Sequence, residues 1–172
     1  MTRLSILAVA VALFAVGCSS STSPSSTTPT NPTFTASISP SNEIPAITNA
    51  ESVITGNASI TMVTTKDAAG NVTAATATFV VNITGVPAGS SINIAHIHEC
   101  VSTCNGSIVV NTTLAAGEVT ITNGVASFTK ANLTVDPAVA QRILNNPAGF
   151  YFNVHTTLNP GGVARGQLQR VS

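Results

Sequence analysis

The amino-acid sequence predicts an all-β protein, built as a β-sandwich with Greek-key links or as a flattened barrel. Only 7% of the residues are charged and 4% are aromatic, whereas the β-branched residues Val, Ile and Thr, which favour strands, are abundant. Segments of alternating polar and apolar residues are separated by turn residues at intervals of about 8–12 residues. This spacing predicts about eight or nine short strands, and one further segment is predicted to be a short helix.

Eight segments have the alternation of strands. They are residues 34–39, 52–65, 72–83, 92–98, 107–114, 119–128, 150–156 and 163–171. Segments 107–114 and 119–128 are expected to pair around Asn123-Gly124, a dipeptide typical of a type I′ turn. The helix is expected to begin at Asp136-Pro137, an N-cap followed by a first-turn proline, and to end at Asn145-Asn146-Pro147.

Residues 1–17 are predicted to be a lipoprotein signal peptide. Arg3 precedes an apolar run over residues 4–16. As a helix this run would rise roughly 20 Å, too short for a bilayer core of about 30 Å. It ends in Ala15-Val16-Gly17-Cys18, which resembles a bacterial lipobox, so Cys18 is expected to be acylated and to become the mature N-terminus. An ordinary secretory signal with an incidental Cys18 is the alternative.

Residues 18–33 are predicted to be a disordered Ser/Thr/Pro tether, because they contain no large apolar side chain that could be buried. Residues 34–172 would then form the folded domain. A tethered domain of this kind is expected in the bacterial cell envelope, anchored to the membrane by lipid and facing the periplasm or the exterior.

The charge balance excludes one class of partner. The chain contains six Lys and Arg residues and six Asp and Glu residues, and no basic stripe is present. The sequence therefore gives no support to nucleic-acid binding. Paired carboxylates suited to glycoside hydrolysis are also missing, and Gly161-Gly162 precedes a predicted strand, which is the wrong place for a phosphate loop.

Cys100 and Cys104 are the only cysteines besides Cys18. In an exported chain they are expected to form a disulfide. A Cys-x₃-Cys bridge closes a very small loop, so it would fix the shape of the loop more than the stability of the domain. A metal site made of Cys and His ligands is the alternative.

All three histidines of the chain lie in two predicted strands, at His96, His98 and His155. His96 and His98 point to the same side, because residues i and i+2 of a strand share a face. If the two strands pair, three imidazoles meet at a site suited to Zn²⁺ or Cu²⁺ with an open fourth position. Glu99 and Asn153 are candidates to hold the outer ring nitrogens.

A structural role is the other interpretation of the histidines. They could hydrogen-bond each other, a backbone carbonyl or Arg165, and so brace the sandwich. Arg165 lies on a predicted strand of a nearly uncharged domain, so it is expected to have a specific partner, for which Glu43 and Glu99 are candidates.

Four motifs in a fixed order carry a resemblance to a known family. They are Ser41-Asn42-Glu43-Ile44-Pro45, Ala95-His96-Ile97-His98, the segment 150–156 with the sequence FYFNVHT, and the segment 159–168 with the sequence NPGGVARGQL. Together they resemble the CHRD domain, which occurs in chordin and in many bacterial secreted proteins, over about residues 34–169. The resemblance implies an immunoglobulin-like or superoxide-dismutase-like β-sandwich and says little about activity.

These observations predict a non-enzymatic, lipid-anchored module that binds an unknown envelope protein or ligand, or that has a structural role. The alternative is a copper- or zinc-binding protein that uses the three histidines. Residues 95–100 also resemble the copper-ligand strand of copper/zinc superoxide dismutases. Those enzymes use more histidines than the three present here, so a complete dismutase site is excluded.

Overall fold

The computed structural model describes residues 31–172, so the predicted signal peptide, Cys18 and most of the predicted tether lie outside the described residues. The described residues form two antiparallel β-sheets and one α-helix, which confirms the prediction of an all-β sandwich. The ordered part begins no later than Pro32, whose carbonyl accepts a hydrogen bond of 2.9 Å from the Met62 amide.

Ten strands and one α-helix follow each other along residues 31–172. They are β1 (Thr33–Ile38), β2 (Thr55–Lys66), β3 (Val72–Thr84), β4 (Ile92–Glu99), β5 (Ser107–Asn111), β6 (Ile121–Thr122), β7 (Val125–Val135), α1 (Pro137–Asn145), β8 (Phe150–Thr156), β9 (Ala164–Gln167) and β10 (Gln169–Arg170). Short 3₁₀ helices cover Pro40–Asn42, Ala50–Val53 and Pro147–Gly149. The larger sheet has the order β10-β1-β2-β3-β7-β6, and the smaller sheet has the order β5-β4-β8-β9.

The connections between the sheets follow the Greek-key pattern of immunoglobulin-like domains. β3 pairs with β7 in the larger sheet, and β4 pairs with β8 in the smaller sheet. The chain therefore leaves each sheet and returns to it beside an earlier strand, as it does in immunoglobulin-like sandwiches. The core lies between the sheets, where the rings of Phe79 and Phe152 are 6.0 Å apart. A fully buried side chain of this size stabilises the fold by roughly 1.5–3 kcal/mol.

The pairing predicted for segment 107–114 is wrong. Asn123 and Gly124 do form a turn with positive φ angles of 51° and 75°, but this turn joins β6 to β7. β5 instead pairs with β4 in the smaller sheet. β7 also extends beyond the predicted strand, because Asn132, with a φ of 55°, interrupts the alternation without ending the strand.

The predicted strand at residues 163–171 is divided into β9 and β10, which belong to different sheets. Leu168 lies between them and is buried in the core. Gly166 permits the crossing, because a Cβ atom there would collide with the backbone of Ser37 in β1. Alternation continues through the crossing, so the sequence pattern did not reveal it.

The predicted helix is confirmed as α1. The Asp136 carboxylate accepts hydrogen bonds from the amides of Ala138 and Val139 at 2.9 and 3.0 Å, as an N-cap does. Ala140 and Ile143 are buried against the sandwich. In the described part of the chain, no helix is long and apolar enough to cross a membrane.

Candidate functional site

The candidate site lies on the outer face of the smaller sheet, the face turned away from the core. In β4, Ile97 points into the core, so His96 and His98 point outward. On the neighbouring strand β8, Asn153 lies opposite His96 and Tyr151 lies opposite His98. The pairing of β4 with β8 therefore brings the two histidine segments side by side.

The outward side chains of this face are buried as well, because three loops fold over them. The loops are residues 39–49, residues 100–106 and residues 157–162. Asn105 donates a hydrogen bond of 2.9 Å to the carbonyl of Ile44, which joins the first two loops. Asn49 donates to Asn159 over 2.9 Å, which joins the first loop to the third. The result is a buried polar layer outside the hydrophobic core.

The structure brings the three histidines together. The ring centroids of His96 and His155 are 5.1 Å apart, those of His96 and His98 are 5.6 Å apart, and those of His98 and His155 are 6.2 Å apart. One nitrogen from each ring lies within 4.8 Å of the other two. Each histidine is buried, with no more than 8% of its surface exposed.

Backbone carbonyls orient two of the rings. His98 Nδ1 is 3.0 Å from the Gly106 carbonyl, and His155 Nδ1 is 2.9 Å from the Pro160 carbonyl. A carbonyl oxygen can only accept, so both Nδ1 atoms carry the proton and both Nε2 atoms keep a free lone pair. His96 Nδ1 then donates to His155 Nε2 over 3.3 Å. His98 Nε2 is buried and has no hydrogen-bond partner among the described residues.

Burial lowers the pKa of all three imidazoles. The pKa of His96 falls to about 4, with the neighbouring charges of His155 and His98 adding to the effect of burial. The pKa values of His98 and His155 fall below 6.5 for the same main reason, although their bonds to carbonyls oppose the shift. The histidines are therefore neutral near pH 7, which is the form that ligates metals.

Glu99 does not support the histidines, and that part of the sequence prediction is wrong. It follows His98 in β4, so its side chain points to the opposite face. Its carboxylate accepts hydrogen bonds of 2.9 and 2.8 Å from the Arg142 guanidinium of α1, which lowers the pKa of Glu99. Glu99 thus ties the helix to the smaller sheet.

Asn153 lies on the face of the histidines but holds none of their ring nitrogens. Its amide nitrogen donates to Glu43 over 3.0 Å, and its amide oxygen is buried without a partner among the described residues. Burial raises the pKa of Glu43 to about 7, against the opposing effects of Arg165 and of the bond from Asn153. Gly162 packs on both side chains, and a Cβ atom there would press on them.

Arg165 is fully buried in the same layer. Glu43, one of its two predicted partners, lies nearby, with 3.9 Å between Arg165 Nε and the Glu43 carboxylate. Closer contacts go to the loops, because the guanidinium donates to the Asn42 carbonyl over 2.6 Å and to Asn105 Oδ1 over 2.8 Å. Arg165 therefore fastens the covering loops to β9.

Sequence reasoning assigned no role to Tyr151. Its ring is stacked on the His98 imidazole, with centroids 4.9 Å apart and planes nearly parallel. The Arg165 guanidinium lies 4.6 Å from the ring centroid. Because β8 runs between β4 and β9, His98 and Arg165 approach the Tyr151 ring from opposite sides. Alternation from His155 places Tyr151 on this face, but the stacking depends on side-chain conformations that the sequence pattern does not give.

The predicted disulfide between Cys100 and Cys104 is present. It closes the loop that supplies the Gly106 carbonyl to His98 and the Asn105 side chain to Arg165. The two sulfur atoms are bonded to each other, so the alternative of a Cys/His metal site is not supported. Within residues 31–172, the cluster suited to a metal contains only the three histidines.

These observations define a class: an immunoglobulin-like β-sandwich with a disulfide-braced loop and a buried polar site on one outer face. The model of one family, the CHRD domain, matches residues 34–168. The chain therefore belongs to the CHRD domain family, as its motifs suggested. Searches among curated proteins and among solved structures found no match.

Proposed function

We propose that this CHRD domain is a non-enzymatic binding module of the cell envelope and that its ligand is a metal ion of the copper or zinc class. One observation carries the proposal: three neutral imidazoles converge, and a buried nitrogen of His98 has no partner. A buried polar atom without a partner costs about 1–3 kcal/mol. A metal ion between the rings would satisfy this atom.

The hydrogen bonds around the cluster support the proposal further. The metal-binding histidines of proteins almost always donate their second ring nitrogen to a carbonyl, a carboxylate or a water. His98 and His155 already do so through Gly106 and Pro160. Bracing alone would not require a buried ring nitrogen of His98 to be left without a hydrogen bond.

Metal content tests this proposal directly. The chain, as the cell processes it, is purified in mild detergent, stripped with a chelator, loaded with copper or zinc and dialysed. We expect about one ion per chain by mass spectrometry, and less than about a tenth of that for His155→Gln. Glu118→Gln is the control, because Glu118 is exposed, is bonded to Lys130 and lies outside the histidine cluster. Wild-type protein that retains no copper and no zinc would refute the proposal.

Membrane attachment through an acylated Cys18 is the other part of the proposal. It is supported by the apolar run, the lipobox-like residues before Cys18 and the Ser/Thr/Pro segment that follows. Fractionation of cells tests it: the wild-type chain is expected in the membrane fraction, and Cys18→Ser is expected as an unprocessed precursor. A Cys18→Ser chain that is fully processed and still in the membrane fraction would show that Cys18 is not the anchor.

A further inference from the structure

The donor set of the histidine cluster is electrically neutral. Three uncharged imidazoles face one another, and within residues 31–172 no carboxylate or thiolate joins them. The nearest acids on this side of the sheet are engaged elsewhere, since Glu43 accepts from Asn153 and Glu51 accepts from Thr156. An ion bound here would be buried, and none of its ligands would neutralise its charge.

A second charge makes a highly charged ion less favourable still. The Arg165 guanidinium and the His98 imidazole flank the same Tyr151 ring, at 4.6 and 4.9 Å from its centroid. The desolvation energy of an ion rises with the square of its charge, so a divalent ion loses about four times as much as a monovalent ion of equal size. The neutral donors therefore favour a monovalent ion, and the Arg165 guanidinium, whose charge Glu43 offsets in part, adds to this preference.

Within residues 31–172, no fourth His, Cys, Asp or Glu side chain joins the three histidines. Zn²⁺ in proteins is almost always four-coordinate, and Cu²⁺ prefers a square or tetragonal arrangement. His98 Nε2 is buried and has no partner, so it is not in contact with bulk solvent in this arrangement. This arrangement suits an ion that is stable with three ligands.

The nitrogen positions are close to those of a planar three-coordinate site. With bonds of about 2.0 Å to the metal, three such nitrogens lie about 3.5 Å apart. His96 Nδ1 and His155 Nε2 are already 3.3 Å apart, and one nitrogen from each of the three rings lies within 4.8 Å of the other two. Closing around an ion would require a shift of no more than about 1.3 Å.

We infer that the ion held by this site is Cu⁺, coordinated by His96 Nδ1, His98 Nε2 and His155 Nε2, with no water ligand. Binding requires His96 to change to the neutral tautomer that carries its proton on Nε2, so that the bond between His96 Nδ1 and His155 Nε2 is replaced by two bonds to the ion. Cu⁺ is monovalent and filled-shell, and it accepts low coordination numbers. The inference rests on the proposed metal-binding function and adds to it the oxidation state and the coordination number.

Metal competition under anaerobic conditions tests the inference. The stripped chain is titrated with Cu⁺ against bicinchoninate, and separately with Zn²⁺ and Cu²⁺ against metal-sensitive dyes. We expect Cu⁺ to bind at one equivalent and at least about 100-fold more tightly than Zn²⁺. X-ray absorption of the Cu⁺ form is expected to show three nitrogen neighbours and no fourth. Both measurements use the wild-type chain, so neither depends on whether a variant folds.

Variants test the ligands themselves. His98→Gln is expected to lower Cu⁺ affinity by at least about 100-fold, whereas the control Glu118→Gln, at an exposed residue bonded to Lys130 and outside the histidine cluster, is expected to retain it. Binding of Zn²⁺ as tightly as Cu⁺, a fourth neighbour on copper, or unchanged Cu⁺ affinity in folded His98→Gln would each overturn the three-coordinate site. In the first two cases the proposed metal-binding function would survive. Loss of all metal binding by the wild-type chain would remove both.

Discussion

Replacing Glu43 by glutamine should change how the stability of the domain depends on pH. Glu43 is 8% exposed, its carboxylate accepts from Asn153, and Arg165 Nε is 3.9 Å away. Burial dominates these contacts and raises the pKa of Glu43 from 4.5 to about 7. The folded protein therefore prefers the protonated carboxyl, whereas the unfolded chain releases the proton at lower pH.

The size of the effect follows from the two pKa values. The folded pKa is higher than the unfolded pKa, so the stability that Glu43 contributes is fully present below pH 4.5 and is lost as the pH rises through about 7. Each pKa unit corresponds to about 1.36 kcal/mol, so the loss amounts to about 3 kcal/mol. Glutamine resembles the protonated carboxyl in shape and does not titrate.

The histidines make the unfolding free energy rise with pH in part of the same pH range, which is opposite to the effect of Glu43. Their folded pKa values lie below 6.5, so the stability that they contribute is present above pH 6.5 and is lost as the pH falls. The pH profile of the wild-type protein alone therefore mixes two effects. The difference between wild type and Glu43→Gln isolates the carboxyl, because both proteins contain the same histidines.

Urea unfolding between pH 4.5 and pH 8, with a chelator present to keep the site free of metal, measures this difference. We expect the unfolding free energy of wild type minus that of Glu43→Gln to fall by about 3 kcal/mol across this range. Glu118→Gln is the control, since Glu118 is partly exposed and bonded to Lys130, which lowers its pKa. A wild-type minus Glu43→Gln difference that stays constant within about 0.5 kcal/mol would mean that Arg165 keeps Glu43 ionised throughout.

Three further predictions concern the stability of the fold. Ile97→Ala removes a fully buried side chain and should lower the unfolding free energy by about 2–5 kcal/mol, whereas Ile108→Ala at an exposed position should change it by less than about 0.5 kcal/mol in the same urea titration. Gly166→Ala should destabilise by about 1–3 kcal/mol or more, because the new methyl group meets the backbone of β1, while Gly161→Ala has free space and should be neutral. Asp136→Ala removes the N-cap of α1. It should lower the thermal unfolding midpoint by an amount that corresponds to about 1 kcal/mol of unfolding free energy.

Local sequence patterns were sufficient to predict most elements of the fold. They were not sufficient to predict which distant strands pair. The turn at Asn123-Gly124 and the N-cap at Asp136 are set by residues next to them, so the sequence indicates them directly. The partner of β5 is decided by which sheet can bury Val110, and no local pattern carries that information. The division at Leu168 has the same origin, since the residue is apolar in either arrangement.

Local patterns also predicted one part of the candidate site and not the other. Alternation along β4 and β8 was enough to predict that the three histidines share a face. The same alternation, applied to Glu99, places it on the other face, so this error was avoidable. The carbonyls of Gly106 and Pro160, which orient two of the rings, belong to loops whose conformation depends on the finished fold.

The position of the histidine cluster outside the hydrophobic core has a consequence for how such domains diverge. Exchanging His98 for another side chain would leave Ile97 and the packing between the sheets untouched, since neighbouring strand residues face opposite ways. Related domains can therefore change the side chains of this face by single substitutions without first acquiring compensating changes in the core. The residues of this face can therefore diverge among descendants faster than the fold does.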